Sequence, residues 1–343
     1  MRLLLCLAIG FSASSAQAFR LLGSPSAWAR WDAAPRFVSG EERSLDGGLR
    51  YSIEGGSYEG LRDQFLWTPT TPSVEDFAAA IERAFEHWTL VDPATGLPAS
   101  FHFVEDLATP AVDDPGNPIS PRGYLGLNPG AEIDIFAETP HAGSAYGASV
   151  VIFFDADSHE VTLSSGTTNH PALAISGADI RINPAFAWKL PAFELLLTHE
   201  IGHALGLADL EESTADGVSV FFDDDLDLTA SATATATLTN AFSFLIDPSD
   251  PEATPLLEVP DDLNTDPGLD SSGVELLMET EGIFDLLDTQ ALGEPILQAD
   301  EFAARQFLYP VAVPEPRGPL LLLTGLVGLL FGARGRLRPP RRR

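Results

Sequence analysis

The stretch Thr198-His199-Glu200-Ile201-Gly202-His203-Ala204-Leu205-Gly206-Leu207-Ala208-Asp209 decides how the chain is read. It follows Phe193-Glu194-Leu195-Leu196-Leu197, an apolar run that suits a helix. His199 and His203 are four residues apart, so on a helix they share one face, one turn apart. Two imidazoles at that separation suit a single Zn²⁺. Glu200, beside the first of them, is placed to take a proton from water at the metal and pass it to a leaving amine. Gly206 follows three residues after His203, and glycine tolerates the left-handed backbone at which helices end. A chain turning there would bring Asp209 back as third ligand and leave a fourth position open, as catalytic zinc sites do. No histidine follows His203, so a downstream third ligand must be a carboxylate. Glu211, Glu212, Asp223, Asp224, Asp225 and Asp227 compete for that role, and Gly206 favours Asp209. The plain alternative is a helix whose histidines are buried and hydrogen-bonded.

The longer pattern H-E-x-x-H-x-x-G-x-x-D, from His199 to Asp209, resembles the signature of the metzincin metallopeptidases. In that family the last ligand is usually His and in a minority of members Asp. The resemblance implies an α+β fold: a twisted, mostly parallel sheet carrying two long helices, an edge strand above the cleft and a smaller C-terminal subdomain. It implies Zn²⁺ on His199, His203 and Asp209, with Glu200 as the catalytic base and acid. It also implies a methionine in a turn beneath the metal. Met278 is the only methionine besides the initiator and is the candidate, with an ordinary core methionine as the alternative. Matrixins usually carry Tyr or Pro shortly afterwards, whereas Glu279 and Thr280 follow here, which leaves the shape of the substrate side pocket open.

Charge and cysteine content narrow the setting. The net charge is −31, and Lys189 is the only lysine. Such a balance repels phosphates and argues against nucleic acid as a partner. The single cysteine, Cys6, lies in an N-terminal leader, so the rest of the chain has no disulfides and depends on its core and metals. That leader has Arg2, an apolar stretch from Leu3 to Phe11 and an Ala16-Gln17-Ala18 cleavage site, as secretory signal peptides do. The mature chain is expected to begin near Phe19.

At the other end, Val313-Pro314-Glu315-Pro316 precedes an apolar segment from Gly318 to Ala333 and a run of arginines. The segment is about long enough to span a thin bilayer, and the arginines would hold its end in the cytoplasm. This order is similar to a PEP-CTERM sorting tail. The similarity implies an exosortase-type processing enzyme as partner, in the envelope of a Gram-negative bacterium. The membrane is then met only through the tail, residues 313–343; a plain anchor is the alternative.

Between the ends, residues 19–47 show no strong period and are expected to form a short pro-segment. Leu49 to Ile53 alternates as a strand. Ser73 is positioned to cap a helix from Val74 to Trp88, with Phe77, Ile81, Ala84, Phe85 and Trp88 on one face. Phe101 to Val104, Ala131 to Phe136, Ser149 to Phe154 and Ala178 to Ile182 read as further strands. The resemblance implies that one of the last two is the edge strand. Leu210 to Asp270 reads as an insertion. Its aspartates between Phe221 and Leu228 could bind Ca²⁺ through oxygen, and a solvated acidic loop is the alternative. Asp155, Asp157 and His159 could form a second metal site. Leu297 to Pro310 resembles the closing helix of a matrixin domain and ends the metallopeptidase region, residues 48–310.

These features predict a secreted zinc endopeptidase acting on protein or peptide. Two other readings stand beside it. One is a non-catalytic surface or extracellular-matrix protein on a degenerate peptidase fold. The other is a zinc amidase acting on cell-wall peptide.

Overall fold

The computed structural model describes residues 18–24, 27–93, 95–113, 117–120, 123–125, 130–139, 147–155, 160–162, 169–209, 219–223, 256–259, 277–278, 297 and 299–311. In chain order the first elements are β1 (Ala18–Arg20), β2 (Gly23–Ser24), β3 (Ala27–Arg30), β4 (Phe37–Val38), β5 (Glu41–Glu42), β6 (Leu49–Ile53), α1 (Tyr58–Arg62), β7 (Leu66–Trp67) and α2 (Val74–His87). Next come β8 (Phe103–Glu105), β9 (Asn117–Ser120), β10 (Gly123–Leu125), β11 (Ile133–Ala137), β12 (Ala148–Phe154), β13 (Glu160–Thr162) and β14 (Asn169–Ile182). The last are β15 (Ala187–Trp188), α3 (Leu190–Ala204), β16 (Ser219–Asp223), β17 (Leu256–Val259) and α4 (Ala299–Leu308). The chain divides into two units, Met1–Val311 and Ala312–Arg343, and every described element belongs to the first.

The long helices form where the apolar spacing places them. The Ser73 hydroxyl accepts the Asp76 amide at 3.0 Å and so caps the first turn of α2. Phe77, Ile81, Ala84 and Phe85 then recur at helical spacing and are buried together. Between β6 and β8 the chain crosses over through α1 and α2, and a parallel pair requires a connection of that kind. Tyr51 of β6 stacks on Phe85 at 4.0 Å between ring centroids, which joins sheet to helix.

The central sheet runs β8-β6-β11-β14-β12-β10-β9. Neighbours from β8 to β14 are parallel, as are β12 and β10, while β12 runs antiparallel to β14. The fold is therefore mixed, with a mostly parallel central sheet and few helices, in agreement with an α+β class. β14 changes partners along its length: Ala178–Ile182 lies between β11 and β12, and Ala172–Ala174 pairs with β3. Ala178–Ile182 is thus an interior strand. β12 is flanked by β10 over Ile152–Phe154 only, and among the described residues no strand pairs with that side of Ala148–Val151.

α3 packs on α2. Phe77 and Phe193 meet at 5.1 Å, the Trp88 indole donates to Thr198 O at 2.8 Å, and Arg83 pairs with Glu194 at 2.6 Å. Every residue of α3 from Phe193 to Gly202 is buried, so this is a core helix with no solvent face over those turns. Its polar side chains must therefore find partners inside the protein.

Residues 19–47 contribute heavily to the same core: Trp28, Arg30, Trp31 and Arg43 are almost wholly buried. Arg43 meets Glu132 at 3.0 Å, and Glu132 also receives Arg50 at 2.8 Å. Residues 1–17 of the expected leader, most of the expected insertion, most of the expected C-terminal subdomain and residues 312–343, with the expected tail, lie outside the described residues. Among the described residues no helix is long and apolar enough to cross a membrane.

Candidate metal centre

α3 ends where its sequence predicts a turn. Gly206 has φ +103°, a conformation that side chains resist. The Gly206 amide donates to His203 O at 2.8 Å and the Leu207 amide to Gly202 O at 3.0 Å, the paired bonds of a Schellman stop. Reversal at this point brings Asp209 back over the last turn of the helix. Its Oδ1 lies 3.2 Å from His199 Nε2 and 3.1 Å from His203 Nε2. Ligand atoms of the three residues all fall within 4.8 Å of one another. His199 and Asp209 are buried and His203 is half-buried.

Main-chain carbonyls fix the protons of both rings. His199 Nδ1 is 2.7 Å from Leu277 O and His203 Nδ1 is 2.9 Å from Leu207 O. A carbonyl only accepts, so each Nδ1 carries the hydrogen, and in the neutral rings each Nε2 presents a lone pair. Two lone pairs and a carboxylate oxygen then converge in a buried space, which is unfavourable unless a cation lies among them. The donor set and its convergence therefore fit a metal ion.

Protons are the competing cations. Burial acts to lower the pKa of His203, but the Asp209 carboxylate outweighs it and the ring is pushed up to about 9. His199 is raised as well: burial lowers it, and the hydrogen bond to Asp209 together with the Asp209 and Glu200 charges more than compensates. Burial acts to raise Asp209, yet the two imidazoles hold it well below the ordinary carboxylate range.

Glu200 sits on α3 next to His199, is buried, and its charge acts on both rings. Met278 lies behind the helix: a Cβ added at Gly202 would be 2.5 Å from its Sδ. The methionine is thus packed under the turn that joins the two histidines, and the preceding carbonyl, of Leu277, orients His199. The Met278 amide in turn donates to Glu301 of α4 at 3.3 Å.

Of the rival third ligands, Glu211, Glu212, Asp224, Asp225 and Asp227 lie outside the described residues, as does the side chain of Asp223. Asp155 accepts from Arg36 at 3.1 Å, while Asp157 and His159 lie outside the described residues. Among the described residues, His199, His203 and Asp209 are the one group of His, Asp and Glu positioned to hold a metal ion. The carbonyls of Leu277 and Leu207 were not legible beforehand, because a main-chain oxygen carries no residue-type signal. Arg20, whose guanidinium donates to Asp209 O at 2.9 Å, was also missed. No protein-family model matches the chain, and no curated protein matches it.

Proposed function

We propose that the chain is an exported zinc-dependent endopeptidase of the metzincin type, with His199, His203 and Asp209 as ligands and Glu200 as general base. The observation that carries this reading is the meeting of two imidazole Nε2 atoms and one carboxylate oxygen beside a buried glutamate. Two nitrogens and one oxygen form a ligand set suited to zinc with a position left over for chemistry. Support also comes from the two long helices, from the parallel strands ending in an antiparallel β12, and from Met278 beneath α3.

Zn²⁺ bound there would polarise the scissile carbonyl and make water nucleophilic near neutral pH. The chain's own groups do the rest. Leu277 O and Leu207 O hold the imidazoles in the tautomer that leaves Nε2 free to ligate. Glu200 accepts the proton of the attacking water and delivers it to the departing amine nitrogen. The side of Ala148–Val151 that faces away from β14, which no strand among the described residues covers, is where an extended peptide could add as a further strand. The leader and tail read from the sequence put this activity outside the cytoplasm, with an exosortase-type enzyme acting on the tail.

Mass spectrometry of products from a mixed peptide library, with and without chelator, tests the proposal. New internal cleavages that disappear with chelator are the expected result. Metal binding without any cleavage would favour the non-catalytic matrix protein, and cleavage confined to cell-wall peptides would favour the amidase.

A further inference from the structure

The turn that presents Asp209 exposes carbonyls at the end of α3, and a buried helix end needs a partner for each. Ala204 O accepts the Trp31 indole at 2.9 Å, and Leu205 O accepts the Tyr309 hydroxyl at 2.5 Å. Gly206 O accepts the Leu22 amide at 2.8 Å, and the Ala208 amide donates to Arg20 O at 3.0 Å. Asp209 O accepts Arg20 Nη1 at 2.9 Å. Leu21 and Leu207 form an antiparallel bridge in the middle of this ladder. The ligand loop is therefore one strand of a short ribbon, and the residues just after the leader are the other.

Arg20 is central to the ribbon. It is only 6% exposed, so its guanidinium must find its partners inside the protein. Its carbonyl and its side chain grip two consecutive loop residues, Ala208 and Asp209. Holding both sides of the Ala208–Asp209 peptide fixes where the Asp209 carboxylate points before any ion arrives. Preorganisation of that kind lowers the cost of binding.

We propose that Arg20 is a positioning residue of the metal centre, and that the chain from Arg20 to Trp31 stays in the working protein as part of that centre. The inference rests on the metal-site reading above. It reverses the role expected of residues 19–47: a segment removed through Asp46 would take away the partner strand of the third ligand. Metal binding and docking of the N-terminal strand then favour one another.

The exported protein is the material for the test. Affinity for Co²⁺ and Zn²⁺ is read by competition with a chromophoric chelator, alongside the Co²⁺ ligand-field spectrum and the thermal midpoint without metal. Arg20→Gln should weaken both affinities about tenfold or more and shift the Co²⁺ bands, with Arg20→Lys recovering part of the loss. Arg36→Gln removes a cation from the same segment that bonds Asp32 and Asp155 rather than the loop; it should lower the midpoint and leave both affinities unchanged. Intact-mass analysis of the metal-loaded protein should place its N-terminus before Arg20. Wild-type affinity and an unshifted spectrum in Arg20→Gln would overturn the proposal, as would a metal-loaded protein that begins beyond Trp31. If Arg20→Gln does not fold, the N-terminal mass decides alone. A wild-type chain that takes up neither ion would instead sink the metal-site reading itself.

Discussion

His199 Nδ1 lies 2.7 Å from the carbonyl oxygen of Leu277, a contact across 78 residues of sequence. It ties the first histidine of the cluster to the turn that carries Met278 and fixes the ring as the Nδ1–H tautomer. The same logic applies to His203 and Leu207 O at 2.9 Å. In the zinc-loaded protein both rings should therefore show protonated Nδ1 and ligating Nε2 in long-range ¹H–¹⁵N spectra. Ligation through Nδ1 at either ring would contradict the arrangement.

Glu200 contributes no atom to the ligand group, so chemistry and binding should separate there. Glu200→Ala is expected to keep its zinc and lose about 10²- to 10⁴-fold in kcat, the usual worth of a positioned acid–base group. Peptide turnover and zinc content measured on one preparation check this. Parent-like cleavage of casein by the variant would show that the proton travels by another route.

The cluster also sets how metal affects stability across pH. His203 is raised from 6.5 to about 9 in the folded chain, with burial opposing and Asp209 prevailing. A raised pKa contributes stability that is complete below 6.5 and is lost as pH climbs through about 9. Asp209 is depressed, so its contribution is present above 3.8 and is lost as pH falls through its lower folded value. The metal-free protein thus loses stabilisation on the alkaline side, where a metal no longer has to displace protons. The rise in Tm on adding Zn²⁺ should grow between about pH 6 and pH 9. Scanning calorimetry with and without chelator tests it, and a shift that shrinks over this range would contradict the linkage.

Strong periodicity and capping chemistry carried much of this fold in the sequence. The helix expected from Val74 to Trp88 is α2, Val74–His87, with Ser73 as its cap. The strand read at Leu49 to Ile53 is β6, and Ser149 to Phe154 falls within β12. The stop at Gly206 and the return of Asp209 were legible because only a residue without Cβ accepts that backbone. Residues 19–47 gave no strand signal in the sequence, for a physical reason. Their strands, such as Ala27–Arg30, are too short to show a period, and they are bound by main-chain pairing to β14 and to the ligand loop. The edge strand was half legible: the alternation of Ala178 to Ile182 announces a strand, but not that β11 and β12 occupy both of its sides.

The two glycines between His199 and Asp209 differ in what surrounds them, and substitution should expose the difference. At Gly202 a Cβ would meet Met278 Sδ at 2.5 Å and Trp88 Cζ2 at 2.8 Å, both side-chain atoms. At Gly206 it would meet the Ala29 carbonyl oxygen at 2.3 Å, and φ +103° is strained for any side chain. Gly202→Ala should cost about 1–3 kcal/mol through overpacking. Gly206→Ala adds backbone strain of about 1–3 kcal/mol to its clash and should be the worse of the two. Only the first clash can be relieved by trimming a neighbour. In a Met278→Ala background Gly202→Ala should lose the part of its cost that Met278 causes, the Trp88 contact remaining, while Gly206→Ala should keep all of it. Denaturant unfolding of the single and double variants reads the coupling directly. Additivity of Gly202→Ala with Met278→Ala would mean that the methionine does not pack against the helix between the two histidines.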